Sequence, residues 1–513
     1  MGKSADIYVS QNGAGDGTAA FNSKSIAWLN SNWASISAGD TIHLVGTLTT
    51  RLVVSKSGIS GNPITLLFET NAMFEAAVWP IAGAISASGK SNIVIDGGVN
   101  GLIRNTDNGT LLGNQADSIG IRGDHLLNFV VKNLTITNMY KHIRGRGDWL
   151  RHGECVDITG SSLTVQSCHF GDGDTLLSIT TEPDGTSTNW ATSRDWNVKQ
   201  NDFTRFNHGF NFGTAAPYTI IDGVLIESNR MDYLSAWDET GSTQLHLDAI
   251  IFIAEGKVSG TNSPAFYSSN VVIRANYIGP NVGTNNTSGI FCDTYFANAC
   301  TKWSIYNNLF TYNSKWNNGC LNILGTDVLI ANNTFIGVAG STPNNGTGIA
   351  IKLGSGCTII NNVFSLNGTV LAGQDNGRPD FIDYNVYDQF DNTDSGVFIG
   401  SAPGNMRHNI VSWVTYCHSF GSESNTVAVF PLRSIAVVNY LPTSEAANGF
   451  SPFSMTAFQG KNLTALGITN DYYGNLRPAT GSWIIGAFQM AGTFKKLLPP
   501  PTNMAAGPGP VTP

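Results

Sequence analysis

The chain has 513 residues, of which 12% are charged and 57 are glycine, and it carries a formal net charge of −8. That length admits two or three ordinary domains or one elongated repeat domain, and the acidic balance argues against a nucleic-acid partner, which needs a basic face. No stretch approaches the roughly 18 uncharged apolar residues of a membrane span, and abundant Gly, Asn, Thr and Ser favour short strands and tight turns over helices.

The chain opens MGKSADIYVS, without an apolar signal region. The expectation is either a removed secretion signal or a protein that leaves its cell without one, as a virion component does. Gly15-Asp16-Gly17 reads as a turn rather than a calcium site. The seven cysteines include no CxxC pair, so no zinc site is expected, and no spacing demands another metal or a cofactor. Cys292 and Cys300 are close enough in sequence to bridge a loop, with buried thiols as the alternative.

From Asn92 a short pattern recurs: a β-branched residue, two variable residues, usually Asn, one variable residue, then an apolar one. It reads VKQNDF (Val198–Phe203), IESNRM (Ile226–Met231), IRANYI (Ile273–Ile278), IYNNLF (Ile305–Phe310), IANNTF (Ile330–Phe335), IINNVF (Ile359–Phe364) and IDYNVY (Ile382–Tyr387). VQSCHF places Cys168, and VKNLTI places Leu134, at the Asn position. A repeat of roughly 23 to 35 residues that cannot bury its own apolar face is the mark of a solenoid. The repeated Asn suits a bend, since Asn tolerates left-handed backbone and hydrogen-bonds nearby peptide groups, and stacked amides can pair from coil to coil. These asparagines are expected to be structural.

Between these units lie strands of a second face, among them VDI, LLSI, GFNFG, AIIFIA, GIFCDT, CLNIL and IAIKL. The longest connections fall between Thr180 and Lys302, and insertions on one face of a solenoid wall a groove. The pattern resembles the pectin-lyase-like right-handed parallel β-helices with their asparagine stack. The opening YVSQNGAGDG, GDTIHL and GNPITL, and the closing YGNLRP before IGAF, resemble the ends of bacterial and phage β-helix proteins. The resemblance implies an all-β, right-handed parallel β-helix with long loops on one face. Residues 1–90 would form an N-terminal cap and first coils, 91–390 the core, 391–490 C-terminal coils and cap, and 491–513 a Pro-rich tail. Arg477 is expected to make a cap salt bridge.

Aligning the strands on their apolar residues puts Ile158, Ile179, Phe212 and Phe252 in one column. Glu154, Thr175, His208 and Asp248 then share a second, and Gly153, Asp174, Asn207 and Leu247 a third. With coils about 4.8 Å apart, Glu154 and Asp174 become neighbours, the pairing that hydrolysis by two carboxylates requires. GECVDI, GDTLLSI and NHGFNFG resemble the successive motifs of polygalacturonase-like glycosidases. That resemblance implies Asp174 as general acid, Glu154 as base positioning water, and His208 tuning the pair. Glu154 and Thr175 each replace the family's Asp, and its later R-I-K strand is missing, so a neutral or differently charged sugar is expected instead of galacturonate.

His246 and Asp248 form an alternative catalytic pair. Asp157, Arg151, Trp190, Trp237 and Asp293 are candidate substrate-binding residues, with Asp293 and Asp248 where basic residues would be expected. The bland alternatives are that Asp157 and Asp174 hold backbone amides beside a turn, that His208 is a bend residue, and that Arg144, Arg146 and Arg151 belong to a solvated loop. Trp149, Trp190, Trp196 and Trp237 sit in polar contexts unusual for core tryptophans, and sugar stacking would use one or two of them. Three functional readings follow. The first is a hydrolase of an extracellular polysaccharide. The second is a polysaccharide lyase that uses the arginine cluster as base and charge neutraliser. The third is a non-catalytic virion tail-spike or surface protein, a homotrimer or virion-attached, favoured by Met1 and the Pro-rich tail.

Overall fold

The computed structural model describes residues 4–108, 116–140, 153–181, 189–213, 217–234, 248–254, 257–279, 288–294, 299–312, 319–337, 349–353, 356–365, 369–373, 379–388, 398–399, 407–408, 415, 417–418, 421, 427–429 and 459–485. It is a right-handed parallel β-helix. Strand Asp6–Ser10 pairs in parallel with Thr41–Val45, which pairs with Ile64–Phe68, which pairs with Ser91–Asp96. The same coil-on-coil pairing continues to Val427–Val429. Near the N-terminus, helix Ile26–Ser31 buries Ile26 and Leu29, and the Ser25 hydroxyl caps it by accepting the Trp28 N–H. Among the described residues no helix is long and apolar enough to cross a membrane.

A ladder of buried amides holds the coils in register. The Oδ1 of Asn229 accepts both the backbone N–H and the Nδ2 of Asn201, and the same double contact repeats through Asn276, Asn308, Asn333, Asn362 and Asn385. Cys168 begins the ladder, donating its N–H to Asn201 Oδ1. Each Nδ2 also donates back to the carbonyl of the β-branched residue that opens the motif one coil earlier, as Asn276 does to Ile226 and Asn308 to Ile273. The sequence motif is therefore two halves of one inter-coil contact.

The left-handed residue of the bend is not the ladder asparagine. It is the residue before it: Ser167, Gln200, Ser228, Ala275, Asn307, Asn332, Asn361 and Tyr384 all have φ between 52° and 59°. The backbone turns there, and the following Asn, in ordinary conformation, reaches into the core to satisfy peptide groups that the turn leaves unpaired. Chain spacing along the ladder also exceeds the expected range: Asn229 to Asn276 is 47 residues, whereas Asn362 to Asn385 is 23. The long coil absorbs its extra residues outside the ladder.

The core runs continuously along the axis. Two positions past the ladder, Phe310, Phe335, Phe364 and Tyr387 stack with ring centroids 4.8, 5.0 and 5.4 Å apart, in the spacing of the coils themselves. Trp196 belongs to this core and is removed from consideration for sugar stacking: it is fully buried, and its Nε1 donates to Gly160 O at 2.8 Å. Its polar neighbours misled because left-handed Asp195 turns the chain immediately before it, after which Trp196 and Val198 face in.

Segment 459–485 packs on the flank of the coils. Leu463, Ile468 and Trp483 join Tyr306, Ala331 and Ile360 in a small second core. Arg477 is buried there, donating to Asn307 Oδ1 at 3.0 Å and to Asn470 O at 3.2 Å under the Trp483 ring. Burial pushes its guanidinium down to about 10. All seven cysteines are buried thiols, with Cys292 and Cys300 Sγ atoms 2.7 Å apart.

Replacing Asn308 by Ala orphans two buried donors of Asn276 and the Ile273 carbonyl, and is expected to cost about 3 kcal/mol or more. Urea unfolding would show it, with exposed Asn62→Ala staying within about 0.5 kcal/mol of wild type. A thiol reagent is expected to label no cysteine in the native protein and all seven in denaturant. A count lower by two would instead place a bond between Cys292 and Cys300.

Candidate functional site

The expected register is observed. Ile158 pairs with Ile179, Ile179 with Phe212, and Phe212 with Phe252. Thr175 lies beside His208, and His208 beside Asp248. The strands that carry these residues are Gly153–Gln166, His169–Thr180, Asp202–Gly213 and Asp248–Ala254. Val156, Leu177, Phe210 and Ile250 lie in the core, as do Cys155, Leu176 and Ala249 immediately before three of them.

Asp174 is buried at 4% exposure, and its Oδ1 accepts a 2.6 Å hydrogen bond from Asn207 Nδ2 on the next coil. On the other side it meets Gly153, where a Cβ would stand 3.1 Å from the Asp174 Cβ. A larger residue at 153 would crowd the carboxylate. Glu154, the next residue in the chain, is half-buried and pairs with Ile119. The structure thus brings together Asp174 and Asn207, with Glu154 one residue from the Gly153 contact and His208 one residue from Asn207. Asn207 had been visible in the Asp174 column, yet an amide before a histidine gave no sign that it would hold the carboxylate.

Asp248 is fully buried, with His208 on one neighbouring strand and Ser288 on the other. His208 is half-buried in extended backbone, so it is no bend residue; the left-handed position on its strand is Arg205. Asp157 is buried and ion-paired with Arg122 on the preceding coil. Asp293 pairs with Ile253 and so occupies a different column from Asp248, five positions along the strand from Ser288. Its side chain lies outside the described residues, as do His246, Arg151, Trp237, Arg144, Arg146 and Trp149. Trp190 is half-buried against Tyr218 and Tyr267, with centroids 5.7 and 5.2 Å away.

A second set of charges lies on the flank. Arg205 forks onto Asp172, its Nε and Nη2 reaching the two oxygens at 2.6 and 2.7 Å. Asp202 is held by His169 Nδ1 at 2.8 Å and Arg230 Nη1 at 3.1 Å. Burial alone would raise the Asp202 carboxyl, but the His169 hydrogen bond and the Arg230 charge outweigh it and hold the group below its ordinary value. These contacts join coils around left-handed corners at Asp172 and Arg205 and read as scaffold. Among the described residues no group of three or more His, Cys, Asp or Glu side chains forms a metal site.

No family model and no curated protein matches the chain. Similar solved structures include the GH136 lacto-N-biosidase from Eubacterium ramulus, with 13% identity over 83% of this chain and 67% of that one and a TM-score of 0.42. The Dettilon tailspike protein gives 14%, 76%, 68% and 0.42 for the same quantities. The PL6 family polysaccharide lyase Pedsa3628 from Pseudopedobacter saltans gives 15%, 72%, 85% and 0.36. Likenesses this distant carry no residue roles.

The lowered Asp202 carboxyl fixes the sign of a pH effect. Its contribution to stability is complete above the ordinary carboxylate range and is lost as pH falls through the folded-state value. Asp202→Asn is expected to destabilise by about 1.5–3 kcal/mol at neutral pH. The two proteins should converge in unfolding midpoint below about pH 4; a gap that stays constant with pH would contradict the assignment.

Proposed function

We propose that the protein hydrolyses an extracellular polysaccharide, acting outside the cell or on a virion, through the carboxylates of its outer groove face. The observation that carries this reading is the buried Asp174 carboxyl, clamped by Asn207 on one side and closed in by Gly153 on the other, one residue from Glu154. This carboxyl accepts a side-chain amide from the next coil.

In the proposed reaction the Asn207 amide fixes Oδ1, and Oδ2 delivers a proton to the glycosidic oxygen as the bond to the leaving sugar breaks. Glu154 takes a proton from water as that water attacks the anomeric carbon, and His208 sets the charge beside the pair. A lyase would instead abstract the proton beside a uronate carboxyl, protonate the leaving oxygen and produce unsaturated sugars.

Asp174→Asn is expected to keep the fold, since the new side chain matches the old in size, and to lower turnover by about a hundredfold or more, the usual share of a general acid. The measurement is reducing-end release across a panel of polysaccharides, with ultraviolet absorbance followed in parallel. Unchanged turnover in the variant would sink the role of Asp174, and unsaturated products would replace hydrolysis by elimination.

A further inference from the structure

The outer face of the groove sheet continues toward the N-terminus past the carboxylates. Val53 pairs with Ser86, Ser86 with Arg122, Arg122 with Asp157, and Asp157 with Ser178. These residues form one row along the helix axis, on the strands that also carry Glu154 and Asp174. At its N-terminal end the row enters a cleft of about 630 Å³ whose lining includes Arg51, Ser86, Lys90, Arg122 and Asp124. From Ser86 to Ser178 is three coil spacings, or ~14 Å, a span that a bound oligosaccharide covers.

The charges in this cleft do not balance. Arg122 is paired with Asp157 and Asp124. Arg51 is different: its Nε donates to Gly83 O at 3.0 Å, and its Nη2 to Ala82 O at 3.0 Å and Ser86 Oγ at 2.8 Å, all neutral acceptors. Those bonds fix the guanidinium in one orientation and leave its charge uncompensated. Among the described residues neither Arg51 nor Lys90 meets a carboxylate, although the chain as a whole carries −8. Partial burial lowers the Arg51 guanidinium from its ordinary value. Val53 and Ile81, 37% and 53% exposed, lie in the same lining and give the cleft an apolar wall suited to the face of a sugar ring.

We infer that this cleft is an anion subsite of the groove, in which Arg51 and Lys90 take the carboxylate or sulfate of an acidic saccharide unit lying about three coils from Asp174. The inference rests on the groove being a polysaccharide site, and it narrows the substrate class to acidic polysaccharides. With Nε and Nη2 engaged by neutral acceptors, Nη1 is left to donate to a carboxylate or sulfate oxygen, and Lys90 supplies a second positive charge to the same cleft. The neutral sugar expected from the missing R-I-K strand remains compatible at the cleavage point, since the acidic unit binds elsewhere.

The test is calorimetric titration of the full chain, with the Asp174→Asn background preventing turnover, using hexasaccharides of three kinds: uronate-only, sulfate-only and neutral. One acidic class is expected to bind at least about tenfold more tightly than the neutral one, with affinity falling as salt is raised. Lys90→Gln and Arg51→Gln should each remove most of that preference while neutral binding stays put; among the described residues Lys90 makes no side-chain hydrogen bond, so its variant does not depend on refolding of the Arg51 contacts. Whichever acidic class retains the preference identifies the anion. Equal affinity for charged and neutral saccharides, no binding of any acidic saccharide, or acidic binding indifferent to Lys90→Gln and Arg51→Gln would overturn the inference. Turnover of neutral polysaccharides with no acidic polysaccharide cleaved would overturn it and leave hydrolysis standing. Preferential acidic binding through Arg51 in a protein that cleaves nothing would do the reverse.

Discussion

Everything in this molecule depends on keeping successive coils in vertical register, and the buried amide ladder is the contact that enforces it. At each bend a residue in the left-handed region, not glycine in most cases, reverses the chain at a cost of roughly 1–2 kcal/mol. The bend also turns peptide groups toward an interior with no water. The asparagine that follows supplies both missing halves, accepting from the coil before and donating to a carbonyl there. A slip of one residue would orphan the whole ladder and exchange the inward and outward faces.

That constraint positions the groove. Once the bends are aligned, the strands of the outer sheet have no freedom along the axis, and residues far apart in the chain become neighbours by coil spacing. Asp174 and Asn207, 33 residues apart, meet at 2.6 Å for this reason. The same register brings Arg122 and Asp157, 35 residues apart, into an ion pair. The scaffold needs neither contact, because apolar columns on the inner side already hold the sheet. The outer face is thereby available to carry charge in patterns that stability does not dictate, such as the uncompensated guanidinium of Arg51.

What the amino-acid order reveals follows the same division. The repeat, the ladder and the columns from Ile158 to Phe252 were legible because each recurs, so every copy supports the others. The choice of left-handed residue was misread. Ala275 and Tyr384 have no preference for that conformation and accept it only because their successors lock it. Trp196 was misread because a turn at Asp195 hides the change of face. Pairings such as Asn207 with Asp174, or Arg122 with Asp157, occur once each and join coils of unequal length. No local pattern could have announced them, whereas the register that makes them was readable.

The flank segment changes how the solenoid behaves as a mechanical object. In a stack where each coil touches only its neighbours, the end unravels one unit at a time. Here Leu463, Ile468 and Trp483 span Tyr306, Ala331 and Ile360 together, and Arg477 and Lys461 tie that span to Asn307 and Asn361. Coils that would otherwise peel separately are splinted into one cooperative block. Fraying from the C-terminal side must first lift the splint, so this stretch of the rod resists pulling and proteolysis as a unit rather than link by link.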